Sequence, residues 1–305
     1  MASPVPRPSK SRLKNPIFFS PPRDLIIYDQ EELDRGAYGS VYTGEFAGRP
    51  VAVKRIHPPL LEAHSAQGQQ VRRNFQAECQ RMKDIVGHAN VVGFIGAFQD
   101  RTGPFLVMEK MAQNLYKFLE ANRGTLRLQQ QLRLCLDIAT GLAFLHSQDP
   151  PLMHRDLTAR NVLLDESGRA KIGDLGQSKL KTAAHFQTRQ PGAVPYMPPE
   201  ALRTQPEYNE KVDIFSFGVL MLEIATQTPP SGGLDGIDTK PEEERRSSDL
   251  ARLAEDHPLK SWIRLCLKNE PGERPDAATL QQDLQQLAQV PLTSPFRHAV
   301  HIMLV

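Results

Sequence analysis

The sequence has few cysteines, little excess charge of either sign and no long apolar run. Its three cysteines, Cys79, Cys135 and Cys266, are far apart and match no metal-ligand spacing, which predicts buried, reduced thiols. A net charge of +2 gives no reason to expect nucleic acid or anionic lipid as a partner. No apolar stretch approaches the roughly 18 residues of a membrane-spanning helix, and the basic N-terminus lacks the apolar core of a signal peptide. We therefore expect a cytoplasmic protein without a membrane span.

The composition and its changes along the chain predict one domain with a tail at each end. At 40% hydrophobic and 24% charged, the 305 residues are typical of a globular protein. Residues 1–23 are rich in proline and carry unpaired lysine and arginine, which predicts a disordered tail. We expect the domain to cover residues 24–290 and a C-terminal extension to cover residues 291–305.

The first third of the domain predicts a small lobe of five strands and one helix. Residues 25–28, 40–43, 51–54, 91–98 and 105–108 are short β-rich runs separated by turn residues. In residues 70–86, apolar side chains recur every three or four positions, which predicts a helix.

Apolar periodicity predicts that the remainder is mainly helical, with helices at Leu128–His146, Lys211–Thr226, 262–267 and 277–287. The fold class is therefore α+β, with a small lobe at about residues 24–108 and a larger, mainly helical lobe at about residues 112–290.

A glycine-containing segment and a lysine follow each other in the small lobe. Glycines between two strands let the backbone approach phosphate oxygens and offer amide donors without an obstructing side chain. The segment consists of Asp34, Arg35, Gly36, Ala37, Tyr38, Gly39, Ser40 and Val41. Lys54 ends the strand that follows, and three apolar residues before it favour a position facing a cleft. Glu78 on the next helix is the first choice of carboxylate to orient Lys54, and Glu62 in a connecting loop is the alternative.

Five further motifs lie in the larger lobe, in a fixed order. Residues 154–161 read His-Arg-Asp-Leu-Thr-Ala-Arg-Asn, and Asp174-Leu175-Gly176 begins 18 positions after Asp156. Pro198-Pro199-Glu200, Asp213 and Arg274 complete the series. Together these motifs resemble those of the eukaryotic protein kinases over roughly residues 25–290, with Asp34 at the position of the first loop glycine and Leu175 for the usual phenylalanine. The mixture of motifs is similar to that of the tyrosine-kinase-like group.

The resemblance implies a bilobal protein kinase fold, ATP and Mg²⁺ as cofactors, and a protein as the substrate. It implies that Asp156 orients the acceptor hydroxyl, that Asn161 and Asp174 hold the metal, and that Lys54, positioned by Glu78, holds the phosphates. Arg160 is a further catalytic candidate. The glycine-containing loop would cover the phosphates. Adenine would contact Val41, Ala52 and Leu163 and the connector backbone from Glu109 to Met111, with Met108 guarding the pocket behind it.

The sequence leaves the acceptor residue open. Thr158 stands where Ser/Thr kinases usually carry lysine, and Arg160 is what tyrosine kinases favour. Residues 192–197, Gly-Ala-Val-Pro-Tyr-Met, are closer to the Ser/Thr pattern, with Ala193 for its threonine. We expect a Ser/Thr kinase, with a tyrosine or dual-specificity kinase as the alternative. A pseudokinase scaffold and a kinase of small molecules are alternatives of other classes.

Arg155 precedes Asp156 in the arrangement in which family members await a phosphate on the activation segment. That segment contains no tyrosine between residues 174 and 195, so the acceptor would be Ser178, Thr182 or Thr188. A phosphate there can order a loop by pairing with arginine. Neither the cellular substrate nor the oligomeric state follows from the sequence.

Overall fold

A computed structural model of the protein describes residues 19–36, 39–57, 60, 66–85, 87–175, 194–202, 209–231 and 241–289. The predicted tails, Val86, the alternative carboxylate Glu62 and the activation segment with Ser178, Thr182 and Thr188 lie wholly or mostly outside these ranges. The domain limits at residues 24 and 290 therefore stay predictions.

The small lobe is a five-stranded antiparallel sheet in the order β1-β2-β3-β5-β4. Its strands are β1 (Leu25–Arg35), β2 (Gly39–Phe46), β3 (Arg49–Ile56), β4 (Phe94–Asp100) and β5 (Gly103–Glu109). The β-branched residues of β3 lie at the centre of the sheet, where Val51 and Val53 are almost fully buried together with Phe105 and Val107. The five predicted strands are confirmed.

The predicted start of the fourth strand, at Val91, is wrong by three residues. Val91 forms an isolated bridge with Ile172 of the larger lobe, and the amide of Val92 donates to the Ile172 carbonyl at 2.9 Å. The apolar run that predicted a strand is therefore divided between the two lobes.

Helix α1 (Ala66–Asp84) packs on the sheet through Phe75, Cys79 and Met82, which are all buried. The helix begins four residues before the predicted start. The prediction missed this first turn because residues 66–69 carry no apolar periodicity. The buried Cys79 is one of three free cysteines, and Cys135 and Cys266 are buried as well.

The larger lobe is built around two apolar helices, α3 (Leu128–His146) and α4 (Lys211–Thr226), both with the predicted bounds. Every residue of α4 from Val212 to Ala225 is buried, so this helix forms the centre of the lobe. The lobe also contains α2 (Leu115–Ala121), α5 (Glu242–Ala251), α6 (Lys260–Cys266), which packs on α4, and α7 (Ala277–Gln289), which packs on α3. The α+β architecture of a small sheet lobe and a larger helical lobe is confirmed.

A second, three-stranded sheet carries the residues that face the small lobe. It consists of β6 (Gln113–Asn114), β7 (Val162–Leu164) and β8 (Ala170–Ile172). Two of the motifs lie at its borders, because residues 154–161 precede β7 and Asp174 follows β8. None of the helices in the described part of the chain is both long and apolar enough to cross a membrane.

Candidate active site

A cavity of about 280 Å³ lies in the cleft between the two lobes. The sheet lobe contributes Val41, Ala52 and Lys54, and the larger lobe contributes Leu163 and residues of its own motifs. Most of the predicted site residues line it: Asp34, Val41, Ala52, Lys54, Glu78, Met108, Glu109, Met111, Arg160, Asn161, Leu163 and Asp174.

Four predicted site residues that the structure describes are not part of this lining. Arg35, Gly36 and Gly39 belong to the base of the glycine-containing loop. Asp156 lines a smaller neighbouring cavity together with Thr158, Tyr196 and Met197. Ala37, Tyr38 and Gly176 fall outside the described residues.

Lys54 joins three elements of the site. Its Nζ lies 2.7 Å from Oε1 of Glu78 on α1 and 2.8 Å from Oδ1 of Asp174 after β8. Burial by itself lowers the pKa of Lys54, but the Asp174 and Glu78 carboxylates outweigh it, so the pKa lies above its ordinary value. Burial, with a contribution from Asp174, raises the pKa of Glu78 although Lys54 opposes that shift. Lys54 is thus a fixed cation held across the cleft.

Asp213 on the central helix α4 shapes the loop that carries Asp156. The carboxylate is fully buried and accepts hydrogen bonds from the amides of His154 and Arg155, each at 2.7 Å, and from His146 Nε2 at 2.9 Å. Burial alone raises the pKa of Asp213, but these donors outweigh it, so the carboxyl has a pKa below its usual range. The bonds hold Arg155 in the left-handed region at φ 67°, a conformation that is costly for a residue other than glycine.

His154 connects this loop to the segment that carries Asp174. Its Nε2 lies 2.7 Å from the carbonyl of Gly173, and its Nδ1 lies 3.2 Å from the amide of Asp156. A carbonyl only accepts and an amide only donates, so the ring is assigned the tautomer with its proton on Nε2. The two predicted carboxylates are therefore positioned by one buried imidazole.

Asn161 and Asp174 offer oxygen atoms of the kind that Mg²⁺ prefers. Nδ2 of Asn161 donates to the Asp156 carbonyl at 2.7 Å and to Asp156 Oδ2 at 3.2 Å. The amide oxygen of Asn161 is thus the atom left to bind a cation. Within the described ranges, no group of three or more His, Cys, Asp or Glu side chains could hold a metal by itself. Two protein ligands suit an ion that takes its other ligands from phosphates and water.

The connector between the lobes is anchored by the side chain of Glu109, for which the sequence predicted only a backbone contact with adenine. The carboxylate of Glu109 accepts from Lys171 Nζ at 2.8 and 2.9 Å and from the Gly93 amide at 2.7 Å. The Glu109 amide donates to the Gly93 carbonyl at 3.0 Å. Lys171 lies on β8, so this ion pair ties the connector to the strand that precedes Asp174.

A second unpredicted group lies below the cleft in the larger lobe. The Tyr196 hydroxyl donates to Oε2 of Glu223, a buried residue of α4. Burial raises the pKa of Glu223 to about 7, against the effect of the Tyr196 bond and of Arg160. The guanidinium of Arg160 lies 4.2 Å from the ring centroid of Tyr116, a cation–π contact. The available signal for Glu223 was a second carboxylate, after Asp213, within a largely apolar helix.

Comparison with known proteins assigns these motifs to a family. A family model described as "Protein tyrosine and serine/threonine kinase" matches residues 27–284. Serine/threonine-protein kinase CTR1 of Arabidopsis thaliana is 32% identical over 279 residues, which are 90% of this chain and 33% of that protein. Serine/threonine/tyrosine-protein kinase HT1 of Arabidopsis thaliana is 30% identical over 267 residues, or 85% of this chain and 67% of that protein.

The probable serine/threonine-protein kinase drkA of Dictyostelium discoideum is 30% identical over 262 residues, 85% of this chain and 39% of that protein. The chain thus spans about a third of the length of CTR1 and two fifths of drkA.

Proposed function

The chain belongs to the protein tyrosine and serine/threonine kinase family, and on that basis we propose that it transfers the γ-phosphoryl group of ATP to hydroxyl groups of proteins, mainly Ser and Thr. The observation that carries this proposal is the position of Lys54 between Glu78 and Asp174 at 2.7 and 2.8 Å. A lysine held by two carboxylates from opposite lobes supports a cleft prepared for a nucleotide's phosphates.

Asp156 is the residue proposed to meet the acceptor hydroxyl. The residue is 8% exposed and lines the small cavity next to the main cleft. Its amide and carbonyl are held by His154 and Asn161, and Asn161 Nδ2 also donates to its carboxylate at 3.2 Å, which restricts the direction of that group. In the reaction, the hydroxyl oxygen bonds to the γ phosphorus, the bond to the β,γ-bridging oxygen breaks, and Asp156 accepts the hydroxyl proton.

Lys54 is proposed to hold the α- and β-phosphates and Glu78 to keep it in place. Asn161 and Asp174 would hold Mg²⁺, which when bound offsets the negative charge of the phosphate oxygens. Val41, Ala52 and Leu163 would enclose adenine, with hydrogen bonds from the connector at Glu109 and Met111.

Ser/Thr specificity is proposed because the relatives named above are called serine/threonine kinases. Dual specificity is the second candidate. It is favoured by Arg160, the residue type typical of tyrosine kinases at this position, and by the name of HT1, a serine/threonine/tyrosine kinase.

The proposal is tested with the purified chain, Mg·ATP and a degenerate peptide array whose fixed acceptor is Ser, Thr or Tyr. We expect transfer to Ser and Thr peptides, and its loss in Asp174→Ala. Asp165→Ala is the matched control, because Asp165 lies in the turn between β7 and β8 and outside the cleft. Transfer to Tyr peptides alone would overturn the specificity. If the chain transfers no phosphate, a pseudokinase scaffold is favoured. The same holds if Asp174→Ala is as active as Asp165→Ala, because the measured activity would then not come from this site.

A further inference from the structure

The base of the glycine-containing loop is set by the end of β3. Gly39 pairs with Ile56 in the sheet, and a Cβ atom added to Gly39 would lie 2.2 Å from the Arg55 carbonyl oxygen. The loop is closed on itself by the Gly36 amide, which donates to the Gly39 carbonyl at 2.9 Å. The loop therefore begins from backbone that packs directly on β3.

His57, the first residue after β3, reaches the other side of this base. Its Nε2 lies 3.0 Å from the carbonyl oxygen of Gly36. A carbonyl only accepts, so Nε2 carries the proton, as it does in both the neutral Nε2–H form and the charged form. The half-buried ring therefore donates to the base of the loop.

The contact engages the second polar backbone group of Gly36. Its amide donates to the Gly39 carbonyl, and its own carbonyl accepts from His57. A loop whose base is held in this way loses less conformational freedom when it binds a ligand. Holding the base therefore favours binding of phosphate oxygens by the loop.

Side chains of β1 and β2 restrict the same base. Arg35 donates to Glu32 from Nε at 2.6 Å and from its terminal nitrogen at 2.7 Å. Ser40 Oγ approaches Glu32 Oε1 at 3.4 Å. The guanidinium of Arg35 is thus bound to Glu32, and the side chain that binds the Gly36 carbonyl is His57.

We propose that His57 is a positioning residue for the nucleotide: by donating from Nε2 to the Gly36 carbonyl, it fixes the base of the glycine-containing loop that would cover the phosphates of ATP. The proposal rests on the proposed function only in that the cleft binds Mg·ATP. It assigns His57 no contact with the nucleotide and no part in binding adenine, which the connector would hold.

Binding of Mg·ATP and of adenosine, measured by calorimetry for each variant, tests this proposal. The variants are His57→Ala, His57→Met and His57→Gln, because Met retains length without a donor and Gln places a donor near Nε2. Arg49→Ala, at the exposed opposite end of β3, is the control. Loss of one hydrogen bond should raise the Kd for Mg·ATP by about 2- to 10-fold in the Ala and Met variants.

The Kd for adenosine should stay unchanged in all variants, and His57→Gln should bind Mg·ATP like the parent. A general loosening of the lobe would weaken both ligands together and would overturn the proposal. Unchanged Mg·ATP binding in His57→Met, or a failure of Gln to restore it, would do the same. Should His57→Ala not fold, the Met and Gln pair carries the comparison alone.

The outcome is separable from that of the peptide array. If the parent binds Mg·ATP and the variants behave as expected while no peptide is phosphorylated, the positioning role stands and the kinase activity fails. If peptides are phosphorylated but His57→Met binds Mg·ATP normally, the positioning role alone fails.

Discussion

Arg274 and Glu200 form a two-bond ion pair between segments that are 74 residues apart. Nη1 and Nη2 of Arg274 donate to the two carboxylate oxygens at 2.5 and 2.8 Å, and the side chains are 0% and 3% exposed. The guanidinium also donates to the carbonyls of Lys211, Lys268 and Asn269. One buried side chain thereby fastens Glu200, which follows the activation segment, to the start of α4 and the turn after α6.

Removing Arg274 should destabilise the larger lobe severely. Arg274→Leu leaves the Glu200 carboxylate buried without its cation and should cost about 3–5 kcal/mol of the free energy of unfolding. Urea denaturation checks this value. The matched control is the double variant Glu200→Leu with Arg274→Leu, which removes both charges and should lose less than Arg274→Leu alone. A loss of under about 1 kcal/mol in the single variant would show that the pair is dispensable.

Asp156→Asn should abolish catalysis while leaving the loop intact. The main bond from Asn161 goes to the carbonyl of Asp156 at 2.7 Å, so it survives the substitution. Loss of a general base lowers kcat by about 100-fold or more, and Mg·ATP affinity should stay within about twofold because the charge of Asp174 is untouched. Steady-state rates and calorimetry measure the two quantities, with Asp283→Asn on α7 as the control. Retention of over about a tenth of the parent rate, a loss below ~1.4 kcal/mol, would contradict the assigned role.

Met108→Gly should open the pocket behind adenine. Met108 pairs with Ala52 and Phe94 in the sheet, lines the cleft and is half-buried. Its long, flexible side chain narrows this pocket without sealing it. Bulky adenine analogues should inhibit the Gly variant and not the parent, whereas Met108→Leu, which keeps the bulk, should behave like the parent. Equal inhibition of all three forms would place the limiting wall elsewhere.

Glu223→Gln should change how stability depends on pH. Because the pKa of Glu223 rises from 4.5 to about 7 on folding, the folded state binds its proton more tightly. The penalty for ionising this residue is absent below about pH 4.5 and grows to about 3 kcal/mol above pH 7. The Gln variant escapes it, and its amide oxygen still accepts from Tyr196.

Thermal unfolding midpoints at pH 5 and pH 8 test this expectation. Glu223→Gln should be close to the parent at pH 5 and clearly more stable at pH 8, with the exposed Glu120→Gln as the control. A difference that is equal at both pH values would mean that Glu223 does not titrate in this range.

The sequence predicted those helices and strands whose apolar pattern lies within their own residues. Helices α3 and α4 begin and end within one residue of their apolar runs. Strand β3 contains its predicted apolar run but continues to Ile56, two residues beyond Lys54. The pairing of Lys54 with Glu78 could be anticipated because each lies at a motif position of a separate, recognisable element.

Other features depend on contacts between distant segments and had no local signal. Strand β6 is two residues long and exists only because β7 lies beside it. The bonds of Lys171 to Glu109 and of His57 to the Gly36 carbonyl could not be predicted, because Lys171 and His57 look like ordinary surface residues in the sequence. The start of β4 was misplaced for the same reason, since Val91 packs against a strand of the other lobe.

Asp213 holds the loop that carries Asp156 through main-chain contacts, which do not depend on the loop's side chains. Both of its loop contacts are to main-chain amides, those of residues 154 and 155, and every amino acid except proline supplies such a donor. The backbone shape of this loop is therefore independent of the charge of the side chain at position 155. Replacing Arg155 by a neutral residue would alter any control that its charge exerts and would leave in place the main-chain bonds that position Asp156. Glycine would suit the left-handed backbone at this position best.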